Sequence, residues 1–225
     1  MWVVPEINGE YIERMENVLR VYALPYDPKQ PVVCLDERPV VLHAPARPGS
    51  PMRPGRPARS DYEYVRKGTA NVFCIVEPKT GRRLTRATRR RANRDFARAL
   101  ARIAKAYRKA HRIHLIADNL SSHSENACIE TFGKQKGRSL WRRFKLHFTP
   151  KHGSWLNAAE MEVSLLSRQC LGKRRIPDLR TLAREVRAWR RVTTHEGMPI
   201  RWRFRVKDAR RMFRYDRLKS TRSDD

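Results

Sequence analysis

Three short apolar runs, each leading into polar or acidic residues, constrain the fold of this 225-residue chain most strongly. They read PVVCLDE (31–37), RIHLIADN (112–119) and KLHFTP (145–150). Apolar runs of this length, with little alternation, are typical of strands that are buried on both faces of a sheet. A sheet of this kind needs helices as cover, so the chain is predicted to fold as an α/β domain.

The remaining segments have the patterns of a hairpin and of amphipathic helices. Residues 69–78 and 81–89 predict two strands around a turn. Residues 92–110 place apolar side chains, from Phe96 to Tyr107, on one face of a helix. Further helices are predicted at 9–22, 124–143, 156–171 and 177–195. Three strands followed by helix, strand, helix, strand and helix indicate a mixed sheet flanked by helices.

The charge of the chain restricts its partners. Lys and Arg number 50 against 23 Asp and Glu, and the net charge of +27 exceeds what solubility needs. This excess predicts a polyanionic partner, with nucleic acid as the first candidate. A ribosomal or membrane-surface role would also fit the charge alone. No apolar run is long enough to span a bilayer and no signal peptide opens the chain.

The cysteines give no sign of a metal-binding pair. Four are present, none in a C-x-x-C arrangement, which argues against zinc. Two of them lie inside strand-like runs, where cysteine usually acts as a small core residue. The pattern is typical of a protein of the reducing cytosol. The four are Cys34, Cys74, Cys128 and Cys170.

Acidic residues follow the predicted strands. Asp36 and Asp118 end two of them, and Glu160 and Glu162 lie in the first turns of the helix after the third. Carboxylates that converge at one sheet edge would need cations, and oxygen ligands suit Mg²⁺ or Mn²⁺. Two such ions, about 3.5–4 Å apart, serve phosphoryl transfer. Alternatively, these residues are ordinary turn, cap and helix-dipole residues.

Residues 43–60, HAPARPGSPMRPGRPARS, form an unusual insertion. Every third residue is proline, and Arg47, Arg53, Arg56 and Arg59 share a second phase of the same period. Polyproline II has three residues per turn, so it would separate a proline edge from an arginine edge. The segment is either a disordered proline-rich loop or a basic arm that follows a phosphate backbone or reaches a partner subunit.

Three ordered motifs carry a resemblance to a known family. CLDE, ADNLSSH and TPKHGSWLNAAEMEVSLLSRQCL together resemble the catalytic core of the mariner-like superfamily of DDE transposases, in its bacterial insertion-sequence branch. The resemblance extends from about Trp2 to Tyr215. It implies an RNase H-like fold of the retroviral integrase type. It also implies cut-and-paste DNA transposition with two divalent ions, Mg²⁺ or Mn²⁺.

The resemblance also assigns roles to individual residues. The three catalytic, metal-binding acids would be Asp36, Asp118 and Glu160, the last lying three residues after Asn157. Glu162 would point about 200° away from Glu160 on a helix, and is expected to be a solvated or DNA-proximal charge.

Neighbouring residues complete the predicted site. Glu37 is expected to point to the face of the sheet opposite Asp36. His123 and His152 are expected to pack or hydrogen-bond rather than to ligate metal. DNA contacts are predicted for Arg47, Arg53, Arg56, Arg59, Lys151 and His152.

The predicted organisation has three parts. Residues 1–30 form a helix and linker, 31–196 the RNase H-like domain with its insertion, and 197–225 a basic extension. Full-length relatives carry a helix-turn-helix region before the first catalytic strand, whereas only 35 residues precede Asp36. The chain is therefore expected to be a catalytic domain without its sequence-reading half.

The expected partners and functions follow from this organisation. The partners are double-stranded DNA at transposon ends and target, a second copy in a homodimer on DNA, and an upstream-encoded helix-turn-helix half. The expected location is the bacterial cytoplasm, at the nucleoid. Three functions stay open: a transposase catalytic domain, a stand-alone RNase H-like nuclease, and an inactive DNA-binding remnant.

Overall fold

Five strands form one mixed sheet in the computed structural model, which describes residues 7–59, 61–119 and 123–215. The spatial order is β3-β2-β1-β4-β5. Neighbouring strands β1, β2 and β3 pair antiparallel, while β4 and β5 run parallel to β1. The predicted mixed α/β sheet is confirmed. The strands are β1 Val32–Pro45, β2 Tyr64–Glu77, β3 Arg82–Thr88, β4 Ile113–Ala117 and β5 Phe144–Phe148.

Seven α-helices are found among the described residues: α1 Gly9–Ala23, α2 Asn93–Ala106, α3 Glu125–Phe132, α4 Lys134–Trp141, α5 Ala159–Leu165, α6 Leu179–Glu196 and α7 Val206–Phe213. The single helix predicted over 124–143 is two helices, because Gly133 takes a φ of 81° and ends α3. Helix α5 continues as a π-helical turn, Leu166–Leu171. No helix in the described ranges is long and apolar enough to cross a membrane.

Alternate residues of β1 pack into two hydrophobic cores, one on each face of the sheet. Val33 and Leu35 pack with α2, α3 and α4, in a core that includes the predicted apolar stripe of α2. Val32 and Cys34 point the other way, towards α1 and α7. Further along the sheet, α6 and the π-helical turn cover that second face. All four cysteines are buried and free.

Helix α1 and the chain after residue 197 belong to the same packed unit as the sheet. Both contribute to the second core, and Glu16 of α1 lies between them with 2% exposure. Its carboxylate accepts hydrogen bonds from Arg210 at 2.9 Å and from the Tyr215 hydroxyl at 2.8 Å. The predicted boundaries at 30/31 and 196/197 therefore do not separate packed units. Residues 1–6 and 216–225 of the predicted end segments lie outside the described residues.

The proline-arginine insertion differs from both conformations expected for it. Strand β1 continues to Pro45, and the chain then folds back on itself to β2. Bridges pair Ser50 with Arg59 and Arg53 with Arg56 in the antiparallel sense. The segment is thus an exposed β-ribbon, not a loop without structure or one extended polyproline helix. We call residues 46–63 the arm; Ser60 lies outside the described residues.

The spacing of the prolines, one at every third residue, explains how the arm can form a β-ribbon. Proline has no N–H to donate, so pairing must use the residues between the prolines. The backbone N–H groups of Arg53 and Arg56 each donate to the other residue's carbonyl, at 3.0 and 2.9 Å. Between them, Pro54 and Gly55, with a φ of 72°, suit the two central positions of a type II turn.

Candidate active site

The three acids singled out by the sequence lie at one edge of the sheet. Asp36 follows the last residue pair between β1 and β4, Cys34 with Ile116, by two residues. Asp118 is the first residue after β4, and Glu160 is the second residue of α5. All three side chains are half-buried. Strand β1 continues to Pro45, so Asp36 does not end its strand as predicted. Because β1 and β4 run parallel, Asp36 lies instead level with the end of β4, beside Asp118.

Asp36 is electrostatically crowded. Burial is the largest cause that raises its pKa, from 3.8 to about 7, and the carboxylates of Glu160, Asp118 and Glu37 raise it further. The backbone N–H of Glu37, which donates to Asp36 Oδ1 at 2.7 Å, opposes the rise. In the described part of the chain none of the three acids has an ion-pair partner. No cationic side chain among the described residues therefore pairs with the negative charge at this edge.

The acids are close without forming a closed metal cage. Within the described ranges, no three His, Cys, Asp or Glu side chains stand close enough to hold an ion as they are. The donor atoms are nevertheless all carboxylate oxygens, which are the ligands preferred by Mg²⁺ and Mn²⁺.

Asn157 fixes the start of α5 against β1. Its side-chain amide donates to the Leu35 carbonyl at 2.8 Å, next to Asp36, and its Oδ1 accepts from the Ala159 N–H at 3.1 Å. The Glu160 N–H donates to the Asn157 carbonyl at 3.0 Å. With 1% exposure, Asn157 is a buried link between two of the three acids.

Tyr22 holds the same turn from the side of α1. Its hydroxyl donates to the Leu156 carbonyl and accepts from the Ala158 N–H, both at 2.9 Å. The sequence placed Tyr22 only at the end of the helix predicted over 9–22. Nothing in the local pattern indicated that its hydroxyl reaches a turn more than 130 residues away.

Asp118 is oriented by the end of β5. The Thr149 hydroxyl donates to Asp118 Oδ1 at 2.9 Å, and the Thr149 N–H donates to the Ala117 carbonyl at 3.1 Å. Thr149 is 2% exposed. The role of Thr149 was not predicted from the sequence. The one sequence signal for it was its position beside Pro150, at the end of a strand-like run.

Glu162 is not the solvated or DNA-proximal charge that was expected. It is 2% exposed and forms an ion pair with Arg83 of β3 at 2.9 Å. The Arg83 guanidinium also donates to the carbonyls of Gly81 at 2.7 Å and Met198 at 3.2 Å. Glu160 and Glu162 lie on different sides of α5, as expected. The side that carries Glu162, however, packs against β3 and does not face solvent or DNA. Arg83 was missed because GRRL resembles an exposed basic turn.

Glu37 and His123 lie beside the site on the opposite face from Asp36, as alternation along β1 predicted for Glu37. His123 Nε2 contacts Glu37 Oε1 at 3.4 Å, and His123 Nδ1 donates to the backbone carbonyl of Asp118 at 2.7 Å. The His123 ring stacks on Phe96, with 4.2 Å between the ring centroids. The expected hydrogen-bonding and packing role of His123 matches these contacts.

The basic residues predicted to contact DNA lie in two places. Arg53, Arg56 and Arg59 are exposed on the arm, whereas Arg47 at its base contacts Glu63 at 3.3 Å and Asp61 at 4.0 Å. Arg47 is thus already paired within the arm. Residues 151–152, Lys151 and His152, are exposed in the turn after β5, where His152 has a φ of 60°. DNA contact by these residues stays a prediction.

A family model for the DDE superfamily endonucleases matches residues 31–183, which include all three acids. No curated protein matches the chain significantly.

Solved structures of the Mos1 mariner transposase share the fold. The paired-end complex with Mg is 18% identical, with a TM-score of 0.54, and the match covers 88% of this chain and 59% of that one. The paired-end complex with Mn is 18% identical, with a TM-score of 0.52 and coverage of 85% and 58%. The strand transfer complex is 18% identical, with a TM-score of 0.53 and coverage of 84% and 56%. The likeness establishes the predicted RNase H-like fold. The present chain spans less than two thirds of the length of each of these matched chains.

Proposed function

Since the chain belongs to the DDE superfamily of endonucleases, we propose that it is the catalytic domain of a mariner-like transposase of the bacterial insertion-sequence branch. It would cleave DNA strands at the ends of the element and join them to a target. The observation that carries the proposal is the cluster of Asp36, Asp118 and Glu160 at one sheet edge, where no cationic side chain among the described residues pairs with them. A purely structural set of acids would be expected to have ion-pair partners in so basic a protein.

The cluster fits divalent ions by its chemistry. Three carboxylates that are half-buried and mutually repulsive are stabilised by added positive charge. Asp36, whose pKa is raised first by burial and then by neighbouring carboxylates, would hold two ions, Mg²⁺ or Mn²⁺, together with Asp118 and Glu160. The three side chains would draw together when an ion binds. Support comes also from the Mos1 complexes with Mn and with Mg.

The chain's own residues position the reaction. Divalent ions, when bound, would activate an attacking oxygen and stabilise a leaving oxygen of the phosphodiester. Asn157 and Tyr22 hold Glu160's turn, and the Thr149 hydroxyl donates to the Asp118 carboxylate, so the backbone at Glu160 and the side chain of Asp118 are held in place before substrate binds. The basic surface would hold the polyanionic substrate.

The proposed partners are those of an assembly on DNA. They are transposon ends and target duplex, a second copy of the chain, and an upstream-encoded helix-turn-helix component that reads the ends. The Mos1 paired-end and strand transfer complexes, of a protein with the same fold, support the binding of transposon ends. The place of action would be the bacterial nucleoid.

The test uses the chain with supercoiled plasmid and with a pre-cut element end, in Mg²⁺ or Mn²⁺. We expect metal-dependent nicking of the plasmid and joining of the pre-cut end to target, and we expect both to be lost in Asp36→Asn. Nicking without joining would indicate a stand-alone nuclease. DNA binding without nicking would indicate an inactive remnant, and either result would overturn the proposal.

A further inference from the structure

The backbone ladder between β1 and β4 stops just before the acids. Its last pair is Cys34 with Ile116, so Asp36, within β1, and Asp118, just after β4, lie beyond the residues that pair the two strands. Their separation must be set by other contacts. On one face of the sheet, Asn157 bonds to the Leu35 carbonyl. The contacts on the other face have no role in the proposed chemistry.

Glu37 and His123 bridge that gap on the other face. Glu37 is the residue next to Asp36, and His123 Nδ1 lies 2.7 Å from the backbone carbonyl of Asp118. The 3.4 Å contact between His123 Nε2 and Glu37 Oε1 completes a chain of contacts from β1 to the segment that follows β4. The side chain of His123 is only 2% exposed, and that of Glu37 only 6%. The Phe96 ring holds the imidazole plane at 21° to its own.

The hydrogen-bonding groups on either side of His123 define its role between Asp118 and Glu37. A backbone carbonyl only accepts, so Nδ1 of His123 carries a proton. Nε2 then faces Glu37 Oε1 across the 3.4 Å contact. The second Glu37 oxygen, Oε2, is buried and has no hydrogen-bond partner among the described residues, which makes the contact at Oε1 important for this carboxyl.

We propose that Glu37 and His123 are positioning residues that set the separation of Asp36 and Asp118 and so the affinity of the site for divalent ions. They do not touch the ions. This inference rests on the proposed function of the three acids. Partners one contact removed from metal ligands typically change affinity by about 10–100-fold when they are removed.

The test measures Mn²⁺ binding to the folded chain by calorimetry and by electron paramagnetic resonance, without DNA. Glu37→Ala and His123→Ala should weaken Mn²⁺ binding by about 10–100-fold. Glu37→Gln should restore much of the affinity, because its amide can donate to Nε2 of a neutral His123. The double alanine variant should be no weaker than either single variant, because both break the same bridge.

A matched control separates positioning from stability. Val33→Ala, in the α2-facing core of β1, should lower the melting temperature without changing Mn²⁺ affinity at a temperature where the protein is folded. Wild-type affinity in Glu37→Ala and His123→Ala would overturn the inference. Failure of Glu37→Gln to restore binding would also overturn it. If the wild-type protein bound no Mn²⁺, or if Asp36→Asn did not weaken the binding, the proposed function itself would fail instead.

Discussion

The side-chain amide of Asn157 donates to the backbone carbonyl of Leu35 over 2.8 Å, immediately before Asp36. This bond joins the turn that carries Glu160 to the strand that carries Asp36, across 122 residues of sequence. Asn157 therefore sets the relation between two acids that the chain keeps far apart.

Asn157→Ala should affect both stability and cleavage. It leaves the buried Leu35 carbonyl and Ala159 N–H without partners, which costs roughly 1–3 kcal/mol in the free energy of unfolding. Urea unfolding and plasmid nicking measure the two effects. Asn93→Ala, which removes a hydrogen bond between exposed groups, is the control and should leave nicking unchanged. Unchanged nicking in Asn157→Ala would show that the bond does not position Glu160.

The raised pKa of Asp36 predicts how stability depends on pH without metal. The folded protein holds the Asp36 proton up to about pH 7, whereas the unfolded chain releases it near 3.8. Between these values the folded state binds more protons, so the free energy of unfolding falls as pH rises from about 4 to 7. Asp36→Asn should be more stable than wild type at pH 8, by roughly 2–4 kcal/mol. The difference should disappear by pH 4.

Urea unfolding in EDTA at the two pH values measures this effect. Added Mg²⁺ at pH 8 should stabilise wild type and not Asp36→Asn, because only the carboxylate gains from the cation. Equal stability of the two proteins at pH 8 in EDTA would contradict the electrostatic description of the site.

Glu160 and Glu162 should respond oppositely to the same substitution. Glu160→Gln removes a proposed metal ligand that has no ion-pair partner, so nicking should be lost with little change in stability. Glu162→Gln leaves Arg83 as a buried unpaired charge, which should cost roughly 3 kcal/mol or more. Nicking assays on folded protein and urea unfolding separate the two. Normal nicking by Glu160→Gln, with loss in folded Glu162→Gln, would mean that the wrong glutamate has been assigned.

An arginine group on β3, α2 and α6 should contribute to DNA binding. Burial and the nearby guanidinium groups of Arg190, Arg86 and Arg187 lower the pKa of Arg102. Among the described residues, none of these four has a carboxylate partner. Changing all four to Gln should reduce the slope of log affinity against log salt by up to about 0.9 per lost phosphate contact.

Filter binding to random duplex at several salt concentrations measures that slope. The control changes four arginines that already pair with carboxylates: Arg14, Arg174, Arg184 and Arg211. Its slope should change less, although the loss of charge is the same. An equal loss of slope in both variants would show that only net charge matters.

The arm should act in assembly more than in simple DNA binding. Its tip carries Arg53 and Arg56, both exposed, while Arg175 anchors its base by donating to the carbonyls of Tyr62 at 2.9 Å and Glu63 at 3.0 Å. Changing Arg53, Arg56 and Arg59 to Ser should weaken complexes with two paired ends, seen on native gels, more than binding to one duplex. Equal weakening of both would assign the arm to the general basic surface.

Much of the site could be predicted because two of its acids directly follow apolar runs in the sequence. The runs that end near Asp36 and Asp118 are recognisable from composition alone, and parallel neighbours must share an edge. Glu162 could not be assigned, because its partner Arg83 lies on another strand and looks exposed in sequence. The arm was misjudged because a proline period of three suits both a polyproline helix and a ribbon whose hydrogen bonds use the residues between prolines.

The central claim is that Asp36, Asp118 and Glu160 form one divalent metal site. Crystals of the chain grown with Mn²⁺, with data collected at the manganese absorption edge, test it most directly. We predict anomalous density among these three carboxylates that is absent in Asp36→Asn. Manganese bound only elsewhere, or no manganese at this edge in a well-ordered wild-type crystal at neutral or higher pH, would contradict the account.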